Sequence, residues 1–338
     1  MKHRSLGILY EHPEWFELLF AELDRRGLPF ERLHAESLGW DPQEDPVPAL
    51  VVNRMSPSAW KRGHGNGVFT VRDYLAHLAE KGVELVNGIE AYSVEISKAR
   101  QLDLFRRSGA AYPRARVINH ASRAVEAAAG LRFPVVIKPN IGGSGAGIRR
   151  FETRDELAAA ELDLGIDGTA LIQEFLPARD GAIVRVEVLD GKFLYAIRIY
   201  PDLAGFNLCP ADICQAPAGG GVPQDFGVCA APAPEKKKLR IEAVIPPRAA
   251  VSAALELARA AHLDVGGIEY LVDDRDGRLC FYDINALSNF VTDAVNVVGF
   301  DPTARFVDYL ERRLAAVPAR IPAQRAGRSA AAAAIRNR

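Results

Sequence analysis

The chain has 338 residues, which is long enough for two or three compact units. A hydrophobic content of 49% and a charged content of 25% are typical of an ordinary globular protein. The formal net charge of −1 excludes a global field that attracts nucleic acid or anionic membranes. The sequence has neither an apolar run of about 18 residues nor a signal-peptide pattern at its start, so we expect a cytoplasmic protein without membrane spans.

The four cysteines are too few for a disulfide framework in a chain of this length. Cys209, Cys214 and Cys229 have a spacing that is compatible with zinc, but no paired Cys-x2-Cys motif and no nearby histidine support such a site. The sequence therefore favours isolated thiols at these positions and at Cys280.

Strand and helix patterns alternate through residues 1–90. Short apolar runs predict strands at 6–10, 30–34, 49–55 and 83–88. A helix is predicted after Pro13, and the segment 71–82 predicts a second helix that Gly82 ends. This alternation indicates an N-terminal α/β domain with a small parallel sheet.

The pattern changes after a helix predicted over 91–108. Short β-rich runs follow, separated by Gly, Pro and Asp turns, with helices near 153–160 and 247–262 and one opening at Asp301-Pro302. We interpret 91–316 as an α+β domain with one lobe at 110–180 and a C-terminal lobe at 181–316. The segment 201–246 is predicted to be a long irregular loop, and such loops are usually functional or mobile.

Residues 317–338 are rich in alanine, carry five arginines and contain no acidic residue. This composition predicts a disordered basic tail, with a partner-binding helix as the alternative.

One group of residues with binding chemistry follows a buried strand. That strand ends at Lys138, and a glycine-rich loop comes next, with the residues Gly142, Gly143, Ser144, Gly145, Ala146 and Gly147. Glycines allow backbone N–H groups to turn toward an anion, and the lysine adds a positive charge for phosphate. The run after the loop reads as a strand, which excludes a Rossmann turn, and no Gly-Lys-Ser/Thr sequence makes a Walker loop. A simple glycine hairpin remains the alternative.

A second group lies on two strands near the C-terminus. Residues two apart share a strand face, so Asp283 and Asn285 point together, with Cys280, Tyr282 and Ile284 predicted to point away. A three-residue turn that pairs Asp274 with Arg278 places Glu269 opposite Asp283. Two carboxylates and an amide oxygen are hard ligands that suit Mg²⁺, with a solvated strand face as the alternative.

Three further positions are weaker signals. The run LIQEFLP places Glu174 at the end of a strand, where an acid can accept a hydrogen bond from an adenine amino group. Arg185 and Arg198 lie on the next two predicted strands, where cations can meet phosphoryl oxygens.

Together these segments resemble the ATP-grasp superfamily, and most closely its RimK-like branch of carboxylate–amine ligases. The resemblance extends over about residues 93–314. It is carried by the segments 96–118, 133–148, 171–177, 183–189, 263–272 and 279–290.

The resemblance implies an ATP-grasp fold, in which two lobes clasp ATP. Lys98 and Lys138 are then expected to contact ATP phosphates, with the glycine-rich loop closing over them and Arg198 also on the nucleotide. Glu174, Phe175 and Leu176 are expected to frame the adenine. Catalytic roles fall to Lys138 and Arg185, the latter facing the reacting phosphoryl group. Glu269, Asp283 and Asn285 are expected to hold two Mg²⁺ or Mn²⁺ ions.

The chain departs from the family pattern in places. Asp283 stands where the family usually has Glu, and Ile183 replaces an acid often found before the arginine, so Asp180 is an alternative ribose contact. Leu287-Ser288-Asn289 replaces a usual Pro-Gly. These departures concern substrate identity more than ATP binding.

The implied reaction is ATP-dependent amide formation through an acyl phosphate, with release of ADP and phosphate. The expected partners are small-molecule or peptide carboxylates and amines, with a homo-oligomer left open. Candidate substrate contacts are Asn53, Arg54, His64 and Asn207. The alternatives are an ATP-grasp phosphotransferase and a catalytically silent ATP-binding regulatory protein.

Overall fold

The computed structural model describes residues 5–45, 48–143, 145–200 and 239–318. Ser144, Asn207 and the cysteines at 209, 214 and 229 lie outside these ranges, as does most of the basic tail. Within these ranges, no helix is both long enough and apolar enough to cross a membrane.

The N-terminal part is a parallel sheet between helical layers. Its four strands have the order β2-β1-β3-β4, which confirms the small parallel sheet predicted from sequence. The strands are β1 (Leu6–Tyr10), β2 (Phe30–His34), β3 (Leu50–Arg54) and β4 (Glu84–Val86). The helices of this part are α1 (Glu17–Arg25) and α2 (Gly65–Glu80), and they cover opposite faces of the sheet.

Two helices, rather than the single predicted one, connect this sheet to the rest of the chain. They are α3 (Ile89–Glu95) and α4 (Lys98–Arg107). The prediction of one helix over 91–108 was wrong because Ser97 adopts an extended conformation and caps the second helix, accepting a bond from the Arg100 N–H at 3.3 Å. This break places Lys98 in the first turn of α4.

A four-stranded antiparallel sheet forms the small lobe, in the order β5-β8-β6-β7. Its strands are β5 (Ala115–Ile118), β6 (Val135–Pro139), β7 (Arg149–Phe151) and β8 (Ala170–Glu174). Two short helices, α5 (Ala124–Ala127) and α6 (Arg154–Ala159), cover one face through an apolar cluster. The opposite face is left for the cleft.

A five-stranded antiparallel sheet forms the large lobe, in the order β11-β10-β9-β12-β13. Its strands are β9 (Ile183–Leu189), β10 (Lys192–Tyr200), β11 (Arg240–Ala243), β12 (Val265–Val272) and β13 (Leu279–Asn285). The remaining helices are α7 (Arg248–Ala260), α8 (Ala294–Val298) and α9 (Pro302–Ala316). β11 falls within the segment 201–246, so the prediction of an irregular loop fails at its C-terminal end.

The last helix returns to the first sheet. α9 packs on α1 and on the inner residues of β1, with Phe306 and Leu310 buried beside Leu6 and Ile8. Arg26 of α1 strengthens this contact through Asp308, at 2.6 Å. The last helix therefore holds the large lobe against the N-terminal sheet.

Asn87, just after β4, joins the N-terminal sheet to the large lobe through several hydrogen bonds of one side chain. Its fully buried side chain donates to the carbonyls of Val265 and Ala286, at 2.6 and 2.7 Å, and accepts from the Asp264 N–H at 2.8 Å. Its backbone has a positive φ of 52°, which asparagine tolerates better than most residues. One side chain thus satisfies buried backbone groups at the ends of β12 and β13.

Replacing Asn87 with alanine should destabilise the fold by roughly 3 kcal/mol, because several buried backbone groups lose their only side-chain partner. Urea unfolding measures the change, with the exposed Asn66→Ala as the matched control that should shift stability little. Equal stability of the two variants would contradict this role for Asn87.

Candidate functional site

Two adjoining cavities lie where the small lobe, the large lobe and the N-terminal sheet meet. The first, of about 450 Å³, is lined by Lys98, Lys138 and the glycine-rich loop, and we call it the lysine cavity. The second, of about 590 Å³, is lined by Arg185 and by loops of the N-terminal part, and we call it the arginine cavity. Glu95, Asp283 and Asn285 line both, so these residues mark the junction.

The predicted pair of Glu269 and Asp283 forms across β12 and β13. The route to it differs from the prediction, because Asp273 rather than Asp274 pairs with Arg278 at the turn. A bulge between Glu269 and Tyr270 then shifts the register by one residue. The two deviations cancel, and the Asn285 amide lies 3.5 Å from the Glu269 carboxylate.

The bulge also changes which side chains share a face. Ile284 packs in the cluster under α7, as predicted. Cys280 and Tyr282 instead pack in the cluster on the opposite face of the sheet, so the prediction that both point away from the Asp283 face was wrong. An extra residue in one strand reverses the alternation before it, and sequence spacing does not reveal such a residue.

Two buried lysines face the carboxylates from different elements. Lys98 Nζ lies 2.5 Å from Asp283 Oδ1, and Lys138 Nζ donates to the Tyr282 carbonyl at 3.4 Å. Burial and the nearby Lys98 charge together lower the pKa of Lys138 to about 8, against the opposite effect of Asp283 and Glu269. Burial also acts against the charge of Lys98, but the Asp283 carboxylate outweighs it and raises the pKa of Lys98.

Two acids near the junction hold their protons more tightly than usual. Burial, partly offset by a bond from the Ala286 N–H, raises the pKa of Glu95 to about 7. Burial also raises the pKa of Glu269, against the effect of Arg185 and with that of Asp283. The carboxylates at the junction are therefore poorly solvated in their charged form, and a bound cation would stabilise that form.

Arg185 is held by three neighbours on the sheet face that carries Glu269. Its guanidinium pairs with Glu187 at 2.5 Å and Glu269 at 2.9 Å, and donates to Ser288 Oγ at 3.3 Å. It lies flat against Gly267, where any Cβ would overlap the guanidinium. A glycine on the neighbouring strand thus makes room for the arginine.

The glycine-rich loop reaches the N-terminal part of the chain. Gly142, Gly143, Gly145 and Ala146 line the lysine cavity, whereas Ser144 lies outside the described residues. Gly143 has a φ of 148°, and a Cβ there would lie 2.8 Å from that of Ser58. Gly147, with a φ of 71°, packs on Pro139 at the base of the loop.

The three residues expected at the adenine are placed differently from one another. Glu174 is buried, and its carboxylate accepts from the Arg132 N–H at 3.0 Å. Phe175 lies under the Arg150 guanidinium, and Leu176 packs in the cluster of the large sheet. Alternation along β8 points Ala170 and Ile172 to the helix-covered face, so Gln173 shares the cleft face with Leu171.

Arg198 is not brought to the cavities. It pairs across the sheet with Val184, whose side chain packs under α7, and this places Arg198 on the face opposite Arg185. Its ion-pair partner is Glu242 at 3.5 Å. The nucleotide contact expected for Arg198 has no support in this geometry.

The candidate substrate contacts from the N-terminal part lie behind the cavity walls. Asn53 donates to the Asn87 carbonyl at 3.2 Å. Arg54 is buried near the Phe16 and Phe306 rings. His64 contacts Glu11 at 2.5 Å. None of the three is among the residues lining either cavity.

Sequence reasoning missed Glu95, Glu187 and Ser288. Each is at most 6% exposed, and each contacts or adjoins a predicted site residue. Glu187 had a readable signal, since it lies two residues after Arg185 and therefore on the same strand face. Glu95 and Ser288 reach the site only through tertiary packing.

Glu269, Asp283 and Asn285 fit a divalent cation of the Mg²⁺ type. Two carboxylates and an amide oxygen share one face, and protein cations already contact both carboxylates. The described residues contain no group of three His, Cys, Asp or Glu side chains suited to a metal, which accords with a set whose third donor is an amide.

Replacing Lys138 with methionine should raise stability by roughly 1–3 kcal/mol at pH 7, because the folded chain pays to keep this lysine charged. The folded pKa lies below the unfolded one, so wild-type stability should rise with pH above about 8 and the advantage of the variant should shrink. Denaturant unfolding from pH 7 to 10 measures both, with the exposed Lys192→Met as the control. A constant difference between the variants across this range would contradict the low pKa.

Comparisons with known proteins show what the chain is similar to. The model of the RimK-like ATP-grasp domain matches residues 96–202. A D-alanine–D-alanine ligase of Haemophilus ducreyi is 41% identical over 73 residues, which are 21% of this chain and 23% of the ligase. The carbamoyl phosphate synthase large chain of Clavibacter michiganensis is 29% identical over 224 residues, which are 63% of this chain and 18% of the synthase. These matches span less than two fifths of each curated relative.

Solved structures resemble the chain over nearly its whole length. The ATP-grasp ligase PsnB, complexed with a minimal precursor, has a TM-score of 0.62 at 20% identity, covering 92% of this chain and 100% of that one. The D-cycloserine synthetase DcsG has a TM-score of 0.63 at 16% identity, covering 92% and 99%. Residues 96–202 therefore match the RimK-like ATP-grasp domain, and the chain as a whole has the ATP-grasp fold.

Proposed function

We propose that this chain is an ATP-dependent carboxylate–amine ligase that forms an amide and releases ADP and phosphate. The observation that carries the proposal is the junction of the two cavities, where Asp283 and Asn285 separate two buried lysines from a buried arginine. Such a junction suits a phosphoryl group that passes from a nucleotide on one side to a carboxylate on the other.

The lysine cavity is the proposed nucleotide side. Lys98 and Lys138 would meet phosphate oxygens, and the backbone N–H groups of Gly142, Gly143, Gly145 and Ala146 would face the same anion. Glu269, Asp283 and Asn285 would hold two Mg²⁺ or Mn²⁺ ions, which supply charge neutralisation for phosphoryl transfer.

The arginine cavity is the proposed substrate side. A carboxylate oxygen of the substrate attacks the γ-phosphorus, and the bond to the ADP oxygen breaks, which leaves an acyl phosphate. An amine then attacks the carbonyl carbon, the bond to phosphate breaks, and the amine loses a proton. Arg185 would stabilise the negative charge of the acyl phosphate, held in place by Glu187 and Ser288.

The relatives support this class of reaction. D-alanine–D-alanine ligases and the ATP-grasp ligase PsnB are ligases by name, and DcsG is a synthetase by name. We infer small-molecule or peptide substrates for this chain as well, and we propose that it acts in the cytoplasm.

Hydroxylamine capture gives a direct test, because hydroxylamine converts an acyl phosphate to a stable hydroxamate whatever amine the enzyme prefers. With Mg²⁺–ATP and a panel of carboxylic acids, we expect ADP release and hydroxamate formation in step for at least one acid. Asp283→Asn should reduce both by at least about a hundredfold through loss of a metal ligand. The exposed turn residue Asp276→Asn is the matched control and should leave both unchanged.

Phosphate recovered in an ester, without hydroxamate, would instead indicate a phosphotransferase. ATP binding without turnover of any acid would contradict the ligase proposal.

Gly267→Ala tests the role of Arg185 without removing a charge. The added Cβ overlaps the guanidinium, which cannot yield easily between two carboxylates, so kcat for hydroxamate formation should fall by roughly tenfold or more. Gly39→Ala, where nothing lies within 4 Å of an added Cβ, is the control. Unchanged kcat in Gly267→Ala would show that the arginine position does not matter.

A further inference from the structure

Part of the arginine cavity is lined by uncharged residues. In the described part of the chain, six of them lie outside the β-strands and the glycine-rich loop, namely Trp15, Ser56, Pro57, Ser58, Leu287 and Asn289. We call these six residues the outer wall. The charged residues of this cavity, among them Arg185, Glu269 and Asp283, belong to the catalytic face and the junction.

The position of the outer wall follows from strand order. Trp15 comes from the connection after β1, and Ser56 to Ser58 follow β3 directly. β1 and β3 are neighbours, and β2 lies on the far side of β1, so the chain reverses its winding direction between them. Ligands of open parallel sheets bind in the crevice at such a point.

The charges nearest the outer wall are neutralised behind it. The Arg62 guanidinium lies 4.8 Å from the centre of the Trp15 ring and donates to both carboxylate oxygens of Glu11. Glu11 is 2% exposed, and His64 contacts it as well. The ion pair fixes the indole without presenting a net charge to the cavity.

The opposite side of the outer wall is held by two arginines acting on one serine. Arg54 donates to the Ser288 carbonyl from the N-terminal sheet, and Arg185 donates to its hydroxyl at 3.3 Å. Ser288 is fully buried, so its neighbours Leu287 and Asn289 are presented to the cavity from a fixed backbone. This is the segment where the chain departs from the usual Pro-Gly of its family.

The energetic consequence is selection by charge. A charged side group placed against hydroxyls, an amide and apolar surface loses solvent without gaining an ion-pair partner, whereas a neutral group of the same shape does not. This selection against charge does not apply to the carboxylate that reacts, because that group would lie beside Arg185 and the proposed metal ligands.

We propose that the acid activated by this enzyme carries an uncharged side group that packs against the outer wall, as in amino acids with neutral side chains. The inference rests on the proposed ligase function and specifies its substrate.

The test compares acids of equal size and different charge in the hydroxylamine assay with Mg²⁺–ATP. Glutamine against glutamate and methionine against lysine, each as both enantiomers, form the pairs. We expect kcat/KM to be at least about tenfold higher for the neutral member of each pair.

A variant makes the charge of the outer wall the only change. Asn289→Asp should raise the ratio of kcat/KM for lysine over methionine by at least about tenfold, since the new carboxylate pairs with the ammonium. Asn66→Asp, an exposed position outside both cavities, is the matched control and should leave the ratio unchanged. The wild-type comparison stands even if the variant does not fold.

Failure of this inference is distinguishable from failure of the ligase proposal. Hydroxamate from glutamate or lysine at a rate equal to or above that of the neutral partner overturns the substrate class and leaves the ligase intact. Hydroxamate from other carboxylic acids but from none of the four amino acids overturns the amino-acid assignment. The absence of hydroxamate with every carboxylic acid tested overturns both.

Discussion

Two carboxylates that face each other across adjacent strands, one buried and one partly buried, are the constraint on which the site depends. Glu269 and Asp283 are paired in register, and their repulsion in a desolvated place has to be compensated. The chain compensates with Lys98 on one carboxylate and Arg185 on the other. Each cation comes from a different element, so the site exists only when those elements are assembled.

The compensation explains several local features. The break at Ser97 starts a new helix at the residue that must reach Asp283. The absence of a side chain at Gly267 admits the arginine. Lys138 donates to a carbonyl oxygen at 3.4 Å, and burial together with the Lys98 charge lowers its pKa. These are costs to the folded chain that a bound anion and metal would offset.

The N-terminal sheet participates in the site through contacts at the end of β13. Asn87 satisfies the Ala286 carbonyl, and Arg54 satisfies that of Ser288 two residues later. The segment after Asn285 is therefore fixed by side chains from another part of the fold. Leu287 and Asn289, which line the arginine cavity, lie on this fixed backbone, and we therefore assign them to substrate selection.

The amino-acid sequence by itself determined most of the strand and helix order, the parallel first sheet, the glycine-rich loop after Lys138 and the pairing of Glu269 with Asp283. Each of these follows from local periodicity, turn chemistry or spacing along one hairpin. The turn was predicted one residue away from its actual position, and a bulge between Glu269 and Tyr270 shifts the register back by one residue. The predicted pairing of Glu269 with Asp283 is therefore correct.

Only the tertiary structure decided which charged residues meet. Arg198 and Arg185 look equivalent in sequence, yet strand register puts them on opposite faces of one sheet. Glu95 and Ser288 join the site from segments far apart in the chain. Electrostatic contacts depend on distance in space, and packing between lobes sets that distance, whereas local sequence patterns specify only the neighbours along each element.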